Sequence, residues 1–319
     1  FAGWEKYCFL RAEDTWGEKD GAGFTDLYIP YTQNDISVKP QFAKPSLYLG
    51  RRQQQFKQAT KATCDGTLAM PLWAHQIGAK SLAQHFIDAA FSGPASPNLS
   101  SFTGMTYDKG NDDKRHLGLR INTFIINGSA DGDGIITMSA GMIGKSEENE
   151  TSIATLEDDD GVLSAFTFDN VDFWLSDNSE GESATSAAEK VDIRAFEISL
   201  ANTLTVYHTD SYFPSRIVAG VRVVGFKFTV FKDDNTYDLY RRSSSLVTKA
   251  GHLQLKGYHL STGGAADDMT VIDVYMDKLA FSGATDTADM NGLAQIQTEW
   301  ECLKPATSEN EIEFAFSTE

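Results

Sequence analysis

The sequence has 319 residues, 41% of them hydrophobic and 23% charged, and it carries a formal net charge of −18. This composition is typical of a folded globular chain of one large or two ordinary domains, and no stretch approaches the roughly 18 consecutive apolar residues of a membrane span. A surface this acidic repels nucleic acid, so the composition excludes a protein that binds DNA or RNA tightly.

Cysteine usage points to a reducing environment. The three cysteines, Cys8, Cys64 and Cys302, are far apart in the chain and odd in number. Such spacing provides neither a disulfide framework nor the paired motifs of a zinc site. We therefore expect free thiols and assembly in a reducing cytoplasm.

The first half of the chain predicts five strands and one helix. Alternation of apolar and polar residues predicts strands and a long hairpin, in chain order, over 35–42, 62–73, 100–108 and 117–145. Within 80–91, Leu82, Phe86 and Ala90 recur at helical spacing, and Gly93-Pro94 follows as a stop signal.

The second half repeats this order. Strands are predicted over 196–204, 221–232 and 252–260, a possible helix over 236–249 and a hairpin over 269–303. In the hairpin, a polar turn is expected from Ser282, after the first strand. Gly66 and Gly225 are 159 residues apart, and the hairpin glycine pairs Gly128/Gly283 and Gly134/Gly292 are 155 and 158 apart, so the two halves are offset by about 157 residues. We interpret the repeat as a duplication; one large β-sandwich whose strands all alternate is the alternative.

The predicted organisation has four parts, with a first domain at 1–145, an acidic linker at 146–165, a second domain at 166–304 and a C-terminal tail at 305–319. The first domain includes a long excursion at 39–61, which contains Pro40, Pro45 and Gly50. Long loops of compact domains are often functional.

Charge is unevenly distributed. The excursion at 39–61 carries six basic residues and no acidic one: Lys39, Lys44, Arg51, Arg52, Lys57 and Lys61. The linker carries a run of four carboxylates: Glu157, Asp158, Asp159 and Asp160. Charge runs are usually solvated surface, but a basic and an acidic segment in one chain also suit a self-complementary interface.

The sequence contains no recognisable catalytic, cofactor or metal motif. The segment GSADGDG at 128–134 resembles a calcium loop, yet it lacks the later ligands of an EF-hand and is typical of a strand-connecting turn. The six histidines lack metal-site spacing, and no nucleophile elbow, P-loop or dinucleotide fingerprint is present. We therefore expect no enzyme activity and no cofactor.

An ordered set of segments runs through most of the chain: CFLRAEDTWGEKDGAGFTDLYIPYTQNDISVKP, GTLAMPL, LGLRINTFIINGSADGDGIITMSAGMIGK and VAGVRVVGFKFTVF. These segments resemble the corresponding pieces of siphophage major tail tube proteins with a duplicated tube domain.

The resemblance implies a mainly β fold with two tandem domains, each a β-sandwich or barrel of two steeply packed sheets with one flanking α-helix. It further implies that three chains form a ring of six domains and that rings stack into a hollow tube that conducts DNA. The implied partners are further copies of the chain, the tape measure protein inside the tube, and the tail terminator and tail-tip proteins. The implied location is the virion tail.

Two sets of residues become candidates for assembly and DNA passage. The basic excursion and the acidic run named above are candidates for contact between stacked rings. Alternation in 269–281 and in its counterpart predicts a channel-facing set: Arg120, Asn122, Asp273 and Asp277. Carboxylates there would let DNA pass without binding; the alternative for Asp273 and Asp277 is the outer wall of the tube.

A function from another class also fits part of the sequence. A secreted or surface two-domain β-sandwich that binds carbohydrate or host cells would suit the aromatic residues and the glycosylation sequons at Asn98, Asn127 and Asn149. It does not account for the separation of basic and acidic segments.

Overall fold

The computed structural model describes residues 6–18, 27–43, 57–74, 76–77, 80–91, 99–108, 113–150, 164–176, 190–232, 248–259, 268–288, 294–305 and 310–318. Within these ranges the chain is mainly β with one α-helix, as the sequence predicts. None of the helical segments described is both long and apolar enough to span a bilayer.

The first half contains α1 at Leu82–Ala90 and eleven strands: β1 Lys6–Ala12, β2 Leu27–Ile29, β3 Gln33–Asn34, β4 Ser37–Ala43, β5 Gln58–Pro71, β6 Gln76–Ile77, β7 Lys80–Ser81, β8 Phe102–Asp108, β9 Asp113–Ser129, β10 Thr137–Gly144 and β11 Ser146–Glu150. The second half contains nine: β12 Val171–Ser176, β13 Ile193–Ala201, β14 Thr205–Tyr207, β15 Arg216–Val218, β16 Val223–Phe231, β17 Lys249–His259, β18 Asp268–Ala288, β19 Ala294–Cys302 and β20 Glu313–Thr318.

Sixteen of these strands form one continuous sheet, and its order is the same in both halves. Neighbours follow β1-β8-β9-β10-β5-β4 in the first half and β12-β17-β18-β19-β16-β13 in the second. β11 and β20 also correspond, since each pairs with the N-terminal part of the long hairpin strand, β9 or β18. The strand order thus repeats as the sequence pattern predicts, while the division into two separate domains stays a prediction.

A β-bulge marks the same place in both long hairpins. The extra residue is Asn122 between β9 and β10 and Ser282 between β18 and β19. A bulge bends its strand and fixes the local register. Phe124 and Ala284, each two residues beyond the bulge, are therefore equivalent positions.

One apolar core runs through both halves. Strict alternation buries Met138, Ala140 and Met142 on β10, and Phe226 and Phe228 on β16. Full burial of such a side chain contributes about 1.5–3 kcal/mol, so the alternating pattern fixes which face of the sheet is covered. The opposite face of the same strands is left to solvent.

Helix α1 closes one side of this core. Ser81 caps its N-terminus by accepting a hydrogen bond from the Gln84 amide, at 3.2 Å. Leu82, Phe86 and Ala90 are buried, as the predicted helical face requires. The helix confirms the prediction for 80–91.

Four predicted segments differ in the structure. The linker expected at 146–165 begins with β11, which pairs with β9, and 151–163 lie outside the described residues. The polar turn expected from Ser282 is instead strand, because β18 continues to Ala288 along β19. Within the predicted C-terminal tail, β20 pairs with β18. Of the possible helix at 236–249, Lys249 opens β17 and 236–247 lie outside the described residues.

Candidate assembly surfaces

The two halves of the chain join by strand pairing. Ala195–Ala201 of β13 pair antiparallel with Thr123–Ser129 of β9, and this ladder is here called the intra-chain junction. On its core side Leu200 faces Phe124, and both side chains are buried. The sheet therefore continues from one half into the other without a gap in its hydrogen bonding.

Hydrogen bonds from a buried asparagine stabilise the end of this junction. Asn202 is 2% exposed, and its Nδ2 donates to the carbonyls of Ile121 at 2.9 Å and Ala90 at 3.2 Å. Its backbone N–H donates to the Asn122 carbonyl at 2.7 Å, and Asn122 Oδ1 accepts from the Leu204 amide at 2.8 Å. Asn122, the bulge residue, thus binds the second half through both backbone and side chain.

Arg120 completes this group, and the three residues Arg120, Asn122 and Asn202 are called the clasp. Arg120 is 7% exposed, and its Nη1 donates to the Ile217 carbonyl at 2.6 Å. Burial lowers the pKa of the guanidinium, although Glu13 opposes that shift. That Arg120 and Asn122 face a channel stays a prediction; in the single chain Arg120 is buried and Asn122 is occupied in the clasp.

Among the strand edges that have no partner in the described residues, two belong to the counterparts of β9 and β13. Beyond Leu279, β18 pairs on one side with β19, but no described strand pairs with its other side. β3 and β4 pair only with β5. The Asp35 amide donates a hydrogen bond to the Thr67 carbonyl of β5. Because amides alternate in direction along a strand, those of Ile36 and Val38 point away from the sheet.

Side chains cover that second edge in the single chain. Asn34 Oδ1 accepts from the Ile36 amide at 3.2 Å, and Glu147 Oε2 accepts from the Val38 amide at 3.4 Å. Exposed edges of this kind are templates for pairing with another chain unless they are covered. The edge is therefore protected by contacts that a pairing strand would replace.

The excursion at 39–61, here called the arm, begins as a two-stranded ribbon. Residues 39–43 of β4 and 58–61 of β5 are exposed on both faces. Near its outer part the Lys57 ammonium lies 3.7 Å from the centre of the exposed Phe42 ring. Isolated two-stranded ribbons are at best marginally stable in water, so this ribbon is suited to packing against another surface.

The predicted inter-ring residues fall in different places. Lys39 pairs with Asp65 on the adjacent strand at 2.8 Å, and Lys61 is exposed at the base of the arm. Apart from Lys57 in the arm, the others lie outside the described residues: Lys44, Arg51, Arg52, Glu157, Asp158, Asp159 and Asp160.

The solvent face of the long sheet is polar and carries both signs of charge. On three neighbouring strands, Lys227 lies 3.2 Å from Glu299 and 3.9 Å from Glu197. Exposed pairs of this kind contribute only about 0–1 kcal/mol each. Their main effect is to keep this face hydrated and acidic.

Asp273 and Asp277 lie elsewhere, on the part of β18 that pairs with β17 and β20. Asp273 Oδ1 is 2.8 Å from both His252 Nε2 and Gln254 Nε2, and it is largely covered. Burial, and then repulsion from Glu313, raise the pKa of Asp277. The predicted core residues Ile272, Val274 and Met276 are buried, but Val271, which the alternation places on the opposite face, is buried as well.

The described side chains show no features of a catalytic or metal-binding site. Burial raises the pKa of the Cys8, Cys64 and Cys302 thiols to about 12, which leaves them protonated and unreactive. Among the described residues, no three His, Cys, Asp or Glu side chains converge as a metal site. The segment at 128–134 forms the expected turn, in which Gly132 and Gly134 have positive φ.

The sequence reveals neither the length of β18 nor the clasp. The Ser-Gly at 282–283, which stands where Asn122 stands in the first half, favours a turn locally, whereas β18 continues to Ala288. The clasp has no local signal, because its side chains contact backbone groups between 81 and 112 positions away in the chain.

The comparisons with known proteins agree with this picture of an assembling β protein. A family model described as phage tail tube protein matches residues 3–300, while a search of curated proteins finds no match. Neither result supports a surface sandwich that binds carbohydrate or cells. Because the match covers nearly the whole chain, the chain belongs to the phage tail tube protein family and is a structural component of a virion tail.

Proposed function

We propose that three copies of the chain close into a ring whose six halves share one sheet, and that such rings stack into the tail tube. The observation that carries this proposal is the intra-chain junction, in which one half already pairs with the next along a strand edge. Two of the unpartnered edges, that of β3 and β4 and that of β18 beyond Leu279, belong to the counterparts of the two strands joined there. Repeating one head-to-tail contact closes a ring when the rotation divides a full turn.

The equivalence of the two halves sets the register of the proposed contact. In each half, a row of strand-paired residues crosses the sheet from the bulged strand, and the two rows match residue by residue. The row of the first half is Phe124, Ala140, Leu68 and Asn34. The matching row of the second half is Ala284, Thr298, Phe228 and Phe196. Within the chain, Leu200 pairs with Phe124 and Ser199 with Ile125.

In the proposed inter-chain junction, β4 takes the place of β13 and the end of β18 takes the place of β9. Val38 then pairs with Ala284 of the next copy, and Ser37 pairs with Thr285. The amides of Ile36 and Val38 gain backbone acceptors and release Asn34 and Glu147. Main-chain pairing gives such a contact its affinity, and the alternating side chains give it its register.

Disulfide trapping tests this register. The pair Ser37 and Thr285 lies between hydrogen-bonded pairs, where Cα atoms are about 4.5 Å apart and a disulfide fits. We expect the double variant Ser37→Cys with Thr285→Cys to form covalent species of up to three chains. Ser37→Cys with Ala284→Cys is the matched control, because neighbouring side chains point to opposite faces of a strand.

The possible results separate the claims. Equal cross-linking of both variants would refute the register, and covalent rings of six chains would refute the trimer. Tubes that form normally but cross-link in neither variant would show that the contact between chains uses another strand edge. Failure of the unmodified chain to form rings at any concentration would contradict the assembly itself.

We further propose that the arm contacts the adjacent ring and that the polar sheet face lines the channel. The arm is exposed on both faces at its base, as a segment that docks on another subunit would be. Glu197 and Glu299 would repel DNA phosphates, so DNA would pass without specific binding. Asp273 and Asp277 would then lie on the outer sheet, and a density map of the tube decides between the two faces.

The remaining partners follow from the family. We propose that the tape measure protein occupies the channel during assembly and that tail terminator and tail-tip proteins meet the two ends of the tube. Assembly in the host cytoplasm is consistent with three buried, unpaired thiols. Co-assembly of the purified chain with each of these proteins tests these contacts.

A further inference from the structure

We infer that the ring has two unequal kinds of junction, and that it opens between chains, not between the halves of one chain. This inference rests on the proposed ring and concerns the strength of its contacts. It starts from the clasp, which supplements the strand ladder at the intra-chain junction.

The residues equivalent to the clasp cannot form it at the inter-chain junction. Counting from the shared bulge, Arg120 corresponds to Ala280 and Asn122 to Ser282. Along the paired rows, Asn202 corresponds to Pro40. All three clasp positions therefore differ on the edges that would meet between chains.

Each replacement removes a specific contact. Alanine has no guanidinium to reach a carbonyl, and serine is too short to reproduce the hydrogen bond that Asn122 Oδ1 accepts from the Leu204 amide at 2.8 Å. Proline lacks the backbone N–H that Asn202 donates to Asn122 at 2.7 Å, and it lacks the amide that binds Ile121 and Ala90.

The path of the chain explains why the two junctions differ. After Asn202 the backbone turns through Thr203, which has a positive φ of 45°, and Gly220 donates back to the Asn202 carbonyl at 3.2 Å. A β-branched residue at positive φ is strained, so the surrounding contacts must hold this turn in place. In the first half, β4 instead runs on through Pro40, paired with Ala62, into the arm.

The intra-chain junction therefore has a strand ladder supported by the clasp, whereas the inter-chain junction has a strand ladder alone. A buried hydrogen bond contributes a net factor of about three to ten to an equilibrium, and the clasp provides several at one end of the ladder. Local opening of the sheet should therefore occur first where Ile36 and Val38 pair with the next chain, and last where Ile198 and Leu200 pair within the chain.

Hydrogen exchange of assembled tubes, read by mass spectrometry, compares these matched amides directly. Electron microscopy first establishes that rings or tubes are present. We expect the amides of Ile198 and Leu200 to exchange at least about tenfold more slowly than those of Ile36 and Val38. The variant Asn202→Ala should lose this difference at Ile198 and Leu200 while leaving Ile36 and Val38 unchanged; Gln297→Ala, at an exposed position, is the control.

Equal protection of the two pairs in unmodified tubes, or stronger protection of Ile36 and Val38, overturns the inference and leaves the proposed ring intact. This comparison needs no variant, so a misfolded Asn202→Ala does not remove the test. Absence of rings and tubes contradicts the proposed function, and the inference with it.

Discussion

At the residue scale, His116 ties the stability of the fold to pH. It is 2% exposed on β9, with Nδ1 3.4 Å from Cys64 Sγ and 3.6 Å from Glu147 Oε2. Burial lowers its pKa from 6.5 to about 4, and Lys114 adds to this effect while Glu147 opposes it. The folded chain therefore resists protonation of a group that the unfolded chain protonates readily.

The sign of the effect follows from this depressed pKa. Above pH 6.5 both states hold neutral His116, and below that value only the unfolded state gains a proton until pH falls to about 4. We expect the free energy of unfolding to decrease over this window by an amount on the order of 2–3 kcal/mol from this residue. Urea denaturation at several pH values measures it.

The variant His116→Gln provides the comparison. It cannot titrate, so its stability should depend less steeply on pH between 6.5 and 4 than that of the unmodified chain. Parallel pH profiles for the two proteins would contradict the assignment. His208→Gln is a comparison variant: this ring is half-buried and burial also lowers its pKa, so its substitution should change the profile in the same direction but by less.

Residues of the clasp show where the sequence stops being informative. Arg120 alternates with neighbours in a way that predicts a solvent-facing or channel-facing side chain, yet it is buried against Ile217. Two distant segments meet it there: Ile217 of the hairpin β14–β15, whose carbonyl accepts its hydrogen bond, and Trp16, whose ring centre lies 5.6 Å away. No pattern local to β9 encodes that cover, since it depends on how two distant segments pack.

At the scale of elements, the arm carries the clearest prediction. Ala43 pairs with Gln58, so replacing residues 44–57 by Asn-Gly joins β4 and β5 through a two-residue hairpin turn. We expect a folded subunit with a nearly unchanged melting temperature that forms rings but does not stack into tubes. Electron microscopy and sedimentation measure the assembly state.

A Gly-Ser segment of the same length at 44–57 separates the effect of arm sequence from that of loop length. Because long flexible loops cost little in stability, this variant should also fold. Tubes of normal length from either variant would show that the arm is dispensable for stacking.

Elements differ in how well the sequence predicts them. The helix at 80–91 is predictable because its apolar spacing, its Ser81 cap and its Gly-Pro stop agree. The end of β18 is not, because Ser, Gly, Thr and Asp at 282–287 favour a turn locally. Pairing with β19 overrides that preference, and this segment is the one that carries the proposed inter-chain edge.

At the scale of the whole molecule, the sequence predicts the repeated strand order, and it aligns the two halves to within one residue. Aligning Gly66 with Gly225 places the halves one residue out of register, since Gly66 pairs with Met142 and its equivalent in β16 is Phe226. Gly66 serves a local need, because an added Cβ would lie 2.5 Å from the Ile36 Cα. The shared bulges and buried rows, which only the structure reveals, give the true correspondence.

The central claim is that one chain supplies two of the six sheet units of a ring, and the mass of an isolated ring tests it most directly. With a chain mass of 35.0 kDa, native mass spectrometry should find rings of about 105 kDa, which is three chains. The cross-linkable variant Ser37→Cys with Thr285→Cys can stabilise the ring for this measurement. A ring of six chains, at about 210 kDa, would contradict the account, because each chain would then contribute only one unit to the shared sheet.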